Sequence, residues 1–142
     1  MFRSLDTDST LLSGCPIWSG PLVHHVWCQF PDKHYKFSDD TNPFSMWEHL
    51  YYDTVEQMET ALKQKEISGI HSKGIANFVI NSTFISRKRA SEIIKEFTLV
   101  ENLKITISRG SLSNHVAPED LLRKYSGEDL YTNWMSIRIS KC

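Results

Sequence analysis

The sequence predicts a small single domain of the α/β or α+β class, with a mixed sheet of four or slightly more strands covered by three to four helices. Its 142 residues, of which 40% are hydrophobic and 23% charged, are ordinary for one globular domain. Short apolar or alternating runs, typical of strands, recur from about residue 22 onward. Amphipathic runs typical of helices separate them, and this alternation favours a largely parallel or mixed sheet.

The N-terminal residues 1–20 predict an irregular arm, and residues 21–142 the domain itself. The arm is rich in Ser, Thr, Asp and Gly, and its apolar cluster at residues 15–18 includes Trp18. Residues 22–30 then predict the first strand, in which Cys28 and Phe30 share one face.

Two short helices are expected next. Asn42 and Pro43 form a favourable helix start, because Asn caps a helix and Pro tolerates its first turn. Residues 53–56 resemble a capping box, which predicts a second helix to about residue 66. The apolar stripe of this second helix comprises Val55, Met58 and Leu62.

The middle of the chain predicts a central strand followed by a helix. Residues 75–80 form a nearly continuous apolar run with β-branched and aromatic members, which suits a strand covered on both faces. Ser86 can cap the following helix. Its apolar positions repeat at helical spacing, at Ala90, Ile93, Ile94 and Phe97.

The last third predicts two strands with a helix between them. Residues 103–107 alternate apolar and polar side chains, so this strand has one wetter face and lies near an edge. Pro118 begins a helix that Gly127 ends. Residues 135–139 alternate again and predict a terminal strand.

Cysteine and histidine spacing argues against a metal site. The cysteines are Cys15, Cys28 and Cys142, an odd number, so we expect reduced thiols. His24 and Cys28 would lie about 13 Å apart along a strand at roughly 3.3 Å per residue, too far to share one zinc ion. We therefore expect neither a metal nor another cofactor.

Neither a membrane span nor a secretory signal is evident in the sequence. Such a span needs about 20 apolar residues in succession, and the first 13 residues lack the basic start and apolar centre of a signal peptide. We expect an intracellular, cytoplasmic protein.

Charge is distributed unevenly, although the formal net charge is only -1. The first 60 residues are acidic, whereas the second half is basic. A parallel sheet would bring a helix start and a strand end together at one rim, where backbone N–H groups suit an anion. The predicted anion or nucleic-acid site at this rim comprises Asn81, Ser82, Arg87, Lys88, Arg89 and Arg109. The alternative is a polarised but solvated surface.

One family resemblance rests on the order of several landmarks. Trp27 and Phe30, then residues 53–56, then residues 73–75 follow an order that resembles the messenger-RNA cap-binding translation initiation factors. Trp47 only roughly occupies the place of one cap-stacking tryptophan, and Val79 stands where a second is expected. The resemblance implies a diverged cap-binding-like protein, and no site residue is carried over from it.

The function predicted from these features is a non-enzymatic binding module that contacts RNA or another phosphate-bearing partner through its basic surface. One alternative is a protein-interaction or assembly domain, with a protein partner or a second copy, that uses exposed aromatic side chains. The residues concerned would be Trp18, Trp47, Tyr51 and Tyr52. Another is a small enzyme acting on a phosphorylated substrate, but no serine is set in a glycine elbow and no catalytic residue is identified.

Overall fold

The structure, a computed structural model, describes residues 10–23, 27–99, 103–111 and 114–141. These ranges form an α+β fold. The strands are β1 (Thr10–Pro16), β2 (Trp27–Gln29), β3 (His34–Lys36), β4 (Leu103–Ser111) and β5 (Thr132–Lys141). The helices are α1 (Val55–Gln64), α2 (Gly69–Asn81), α3 (Ala90–Thr98), α4 (Glu119–Lys124) and α5 (Gly127–Tyr131). A 3-10 turn spans Glu48–Tyr51.

The strands form two antiparallel sheets rather than one mixed sheet. A three-stranded sheet has the order β1-β5-β4, and β2 pairs with β3 in a separate hairpin. The prediction of a four-stranded mixed sheet is therefore wrong. The predicted edge position of β4 is confirmed, whereas the terminal strand β5 is central.

The predicted central strand is instead the second half of α2. Ser68 caps this helix, because its side chain accepts a hydrogen bond from the His71 N–H. Ile75, Ala76 and Val79 are fully buried, and the helix packs against α1 and the β2–β3 hairpin. A helix covered on several sides carries a nearly continuous apolar run, and such a run has no period that separates it from a buried strand.

Part of the predicted irregular arm is a strand. Thr10–Pro16 pairs with β5 along its whole length, from Thr10 opposite Ser140 to Pro16 opposite Trp134. The pairing is continued by Ile17, whose N–H donates to the Asn133 carbonyl. Of the predicted strand 22–30, residues 27–29 form β2, and residues 24–26 lie outside the described part.

The helix predicted to begin at Asn42 and Pro43 does not form. The Asn42 side chain accepts a hydrogen bond from the Phe44 N–H in a local turn. Trp47 adopts φ 59°, in the left-handed region, which is incompatible with a continuous helix through it. The next helix, α1, is confirmed, with Thr54 and Gln57 as its capping box.

The apolar stripe of α3 is confirmed, but it does not pack on residues 75–80, which precede it in the chain. Its cap is Arg89, three residues after the predicted cap Ser86, and the helix begins at Ala90 and buries Ala90 and Ile93. It packs on the three-stranded sheet, against Met135, Ile137 and Ile139 of β5. The residues 75–80 belong to a different core.

Gly127 begins a helix instead of ending one. Ser126 caps α5 by accepting a hydrogen bond from the Asp129 N–H, and α4 has already ended at Lys124. The buried residues Leu121 and Leu130 of these two helices pack with Trp47 in a third cluster. No described helix is long and apolar enough to cross a membrane.

Candidate functional site

The predicted basic cluster is largely neutralised by its neighbours. Three of its four cations are ion-paired, and the pairs are Lys88 with Glu96, Arg89 with Glu92 and Arg109 with Glu128. The Arg89–Glu92 distance is 2.7 Å, and Glu92 also accepts from the Arg89 backbone N–H at the start of α3. Paired carboxylates weaken the attraction of these cations for a polyanion.

Arg87 has no carboxylate partner in the described part of the chain, but it is held by carbonyls at the end of α2. Its guanidinium donates to the carbonyl oxygens of Val79 (2.6 Å) and Ser82 (3.2 Å) and lies 5.6 Å from the Trp18 ring centroid. Desolvation lowers its pKa from the ordinary value. Arg87 therefore stabilises the negative end of one helix, rather than opposing the positive end of the next.

The predicted polar partners, Asn81 and Ser82, also serve the end of α2. Asn81 donates to the Asn77 side chain at 2.9 Å, and the Ser82 hydroxyl accepts from the Phe84 N–H at 3.1 Å. The parallel rim expected to join them to Arg109 does not exist, because the sheet is antiparallel and residues 75–80 are helical. Of the predicted cations, Arg87 and Arg89 line one surface groove together.

A different basic surface lies on the three-stranded sheet, on the side opposite α3. We call it the outer face. The antiparallel register places alternate residues of β4 and β5 on it. These residues are Lys104, Thr106, Ser108, Gly110, Trp134, Ser136, Arg138 and Ser140. Most of them are exposed, because no described element covers this side.

Trp134 stands at one end of the outer face, on the central strand. Trp134 is 40% exposed, and Gly110 lies opposite it on β4. A Cβ atom at Gly14 of β1 would lie only 2.9 Å from the indole Cζ2 of Trp134. Glycine on β1 thus leaves the space in which this large aromatic ring lies on the sheet.

All charged side chains on the described outer face are positive. Lys104 lies opposite Ser140, and Arg138 lies opposite Thr106, so the two cations are diagonal neighbours about 7 to 8 Å apart. Neither forms an ion pair with any carboxylate in the described ranges. Lys104, Thr106, Arg138 and Ser140 line a hollow of about 310 Å³.

Hydrogen bonds link the buried Tyr35 and His71 to the exposed Asp32 elsewhere in the fold, and the sequence did not reveal them. The Tyr35 hydroxyl oxygen lies 3.1 Å from His71 Nδ1, and His71 Nε2 lies 2.9 Å from the Asp32 carboxylate. A neutral His71 that donates from Nε2 and accepts from the Tyr35 hydroxyl satisfies both contacts. The Phe30 ring also packs on the His71 ring, with centroids 4.2 Å apart. The hydrogen bonds and this ring contact together hold the β2–β3 hairpin against α2.

No group of three or more potential metal ligands occurs in the described residues. Cys28 is buried, and burial raises the pKa of its thiol to about 11. A thiol with so high a pKa is a poor nucleophile and a poor metal ligand. The side chains of Cys15, His24 and Cys142 lie outside the part of the chain whose side chains are described.

The predicted aromatic interaction surface is only partly present. Trp47 is buried, and its indole N–H donates to the Leu130 carbonyl at 2.8 Å. Tyr51 is exposed and Tyr52 half-buried, and both line a shallow groove of about 610 Å³ beside α1.

No protein-family model, curated protein or solved structure matches the chain. The resemblance to cap-binding factors therefore has no support from these comparisons. Its loosely matched tryptophan, Trp47, is buried.

Proposed function

We propose that the protein is a non-enzymatic binding module that holds single-stranded RNA on the outer face of its three-stranded sheet. The observation that carries the proposal is an exposed Trp134, flanked by glycines, on a sheet face whose charges are all positive in the described residues. Aromatic rings stack on unpaired bases, and cations beside them bind the phosphate backbone.

The dimensions of the outer face fit an extended strand. Trp134 and Arg138 are four residues apart on β5, or about 13 Å at roughly 3.3 Å per residue. Lys104 lies diagonally beyond Arg138, and hydroxyls of Thr106, Ser136 and Ser140 lie around them. A base on Trp134 would thus leave neighbouring phosphates within reach of both cations.

This assignment moves the interface away from the cluster predicted from sequence. Lys88, Arg89 and Arg109 are each paired with a glutamate, whereas Lys104 and Arg138 are not paired with any described carboxylate. Binding a phosphate at an existing ion pair requires separating or sharing that pair. Free cations at a solvent-exposed face carry no such cost, so they favour the outer face.

The charge test reverses both outer-face cations, in Lys104→Glu with Arg138→Glu. If both contact phosphates, binding of a labelled single-stranded oligonucleotide should weaken at all sequences, and the slope of log K against log salt should flatten by about 1.4. A matched control is Lys73→Glu with Lys95→Glu, which makes the same charge change at exposed positions of α2 and α3. We expect that control to bind nearly as well as wild type.

The stacking test is Trp134→Ala, with Trp134→Tyr as its control. Loss of one base-stacking ring should weaken binding by roughly 1 to 3 kcal/mol, whereas tyrosine should keep most of it. Fluorescence anisotropy of a labelled oligonucleotide at about 50 mM salt measures the affinity of both variants.

Two results would contradict the proposal. One is no binding by wild type at about 50 mM salt, which would favour the protein-interaction alternative. The other is equal weakening by the outer-face pair and its control. Selective loss on reversing Arg87 and Arg89 would place the interface at the cluster predicted from sequence.

A further inference from the structure

A second candidate site, separate from the outer face, is a cleft beside Trp18. It has a partly open inner chamber of about 180 Å³ and a more open mouth of about 330 Å³. Trp18, Arg87 and Tyr125 line both, so the chamber and the mouth adjoin. None of the lining residues belongs to the outer face. Together the two spaces fall within the size range of small-ligand sites.

One residue of the inner chamber's lining, His49, carries a buried acceptor. His49 is 0% exposed, and its Nε2 lies 2.7 Å from the Trp18 carbonyl, so Nε2 carries the proton and donates. Nδ1 is therefore an acceptor, and it has no hydrogen-bond partner among the described residues. Burial lowers the pKa of His49 to about 4, which keeps the ring neutral at pH 7. A buried acceptor without a donor is costly, and a ligand N–H or O–H would remove that cost.

The walls of the chamber suit a planar ring. Trp18, Tyr52 and Tyr125 contribute aromatic side chains, Leu50 and Ile80 aliphatic ones, and Asp53 one carboxylate. Trp18 already meets the His49 ring edge-on, with centroids 4.9 Å apart. A flat heterocycle buries well among such groups.

The mouth of the cleft suits an anion. Three cations line it, Arg87, Arg89 and Lys124, together with one carboxylate, Glu92. Glu92 pairs with Arg89, while Lys124 is not ion-paired within the described ranges. Arg87 is fixed by two carbonyls of α2, and a guanidinium has five N–H donors, so others stay free for an anion.

We infer that the cleft binds a small phosphate monoester that carries a planar heterocycle, the chemistry of a mononucleotide. The heterocycle lies in the chamber and donates a hydrogen bond to His49 Nδ1. The phosphate lies at the mouth between Arg87 and Lys124. This inference does not rest on RNA binding at the outer face.

The test uses the full chain and titrates nucleoside 5′-monophosphates, the matching nucleosides and inorganic phosphate by calorimetry at 0.15 M salt. We expect saturable binding of at least one monophosphate, with weaker binding of its nucleoside and of inorganic phosphate. Lys124→Glu should weaken it about tenfold, because the phosphate loses one cation and meets a like charge. The matched control is Arg123→Glu, next to Lys124 but outside the cleft lining, which should change affinity less, because its side chain does not line the mouth.

A second readout leaves the buried histidine in place, because substituting His49 changes the packing of the core as well as removing the acceptor. The ¹⁵N resonance of His49 Nδ1 should shift on adding the bound monophosphate and stay in place with inorganic phosphate. Absence of saturable binding by every monophosphate would overturn the inference. So would equal weakening by Lys124→Glu and Arg123→Glu, or binding that leaves the Nδ1 resonance unmoved. The outer-face variant of Lys104 and Arg138 should bind the monophosphate as wild type does, which separates this site from RNA binding.

Discussion

At the scale of single residues, close neighbours rather than the backbone angle decide how a side chain would fit at Gly14 and Gly20. Neither Gly14 nor Gly20 has a positive φ. A Cβ at Gly14 would press on the flexible ring of Trp134, which can move. A Cβ at Gly20 would lie 2.6 Å from the Thr132 carbonyl oxygen, which belongs to the backbone. Only the second contact forces main chain to shift, so it determines the larger cost.

We expect Gly20→Ala to lower the free energy of unfolding by about 1 to 3 kcal/mol through this overpacking. Urea denaturation measures the loss. The control is Gly127→Ala, where a Cβ would meet nothing closer than Tyr131 Cδ2 at 3.9 Å. It should be neutral or slightly stabilising, because alanine favours helix more than glycine does. A loss below about 0.5 kcal/mol for Gly20→Ala would contradict the close contact.

The hydrogen bonds that link Tyr35, His71 and Asp32 give a second prediction at this scale. Tyr35→Phe should cost about 1 to 3 kcal/mol of unfolding free energy, because it leaves the buried His71 Nδ1 without a donor. Tyr51→Phe is the control, since that hydroxyl bonds to Asp120 at an exposed position. We expect the control to stay within about 0.5 kcal/mol of wild type. Equal small effects of both substitutions would show that the buried bond contributes little.

At the scale of elements, the spacing of apolar residues predicts the helices and strands that bury one face only. It does not predict the elements that are buried on several sides or lack a regular pattern. The stripe of α3 and the alternation of β4 and β5 are visible in the sequence because each has one wet side. The run at residues 75–80 was assigned to a strand because α2 is covered on several sides. β1 was missed because its polar and glycine residues show no alternation, and its pairing with β5 spans more than 100 residues.

The same limit applies to the candidate sites. Alternation at Lys104 and Arg138 predicts that each lies on a wet face, but only the antiparallel register makes them neighbours. Arg87, Lys88 and Arg89 are conspicuous as a run, yet partners such as Glu96 and Val79 lie close by only after folding. A charge cluster in a sequence therefore does not tell free cations from paired ones.

The packing of α3 predicts unequal effects along its stripe. Ile93→Ala should lower the free energy of unfolding by about 2 to 5 kcal/mol, because Ile93 is buried against the sheet and leaves a cavity. Ile94 is only half-buried, so Ile94→Ala should cost less. Ile70→Ala, at an 80% exposed position of α2, is the matched control and should be nearly neutral. A larger loss at Ile94 than at Ile93 would mean that the helix docks on another face.

At the scale of the whole molecule, a few buried polar contacts join three apolar clusters. Asp129 of α5 accepts from the N–H and hydroxyl of Ser91 at 2.9 and 3.0 Å, and so ties α5 to the start of α3. The carbonyl of Asp129 accepts from Ser19. The Trp47 indole and the His49 ring connect the 3-10 region to Leu130 and Trp18 in the same way. Among these groups, the His49 ring must keep its proton on Nε2 in order to donate to the Trp18 carbonyl.

His49 makes the stability of the whole fold sensitive to acid. Its pKa is about 4 in the folded protein, because burial disfavours the charged ring, and about 6.5 when unfolded. The unfolded chain therefore binds the proton first, so the His49 contribution is fully present above about pH 6.5 and is lost as pH falls toward 4. The loss should reach about 3 kcal/mol of unfolding free energy by pH 4. Urea denaturation from pH 7 to 4 measures it.

The control for this acid sensitivity is His49→Gln, whose amide can still donate to the Trp18 carbonyl but does not titrate. We expect the variant to be less stable than wild type at pH 7 and to show a much flatter decline between pH 6.5 and 4.5. Carboxylates begin to titrate below about pH 4.5 in both proteins, so only the upper part of the range reports on His49. Parallel curves for the two proteins in that range would mean that His49 is solvated and charged in the native state, which would also remove the neutral acceptor from the cleft.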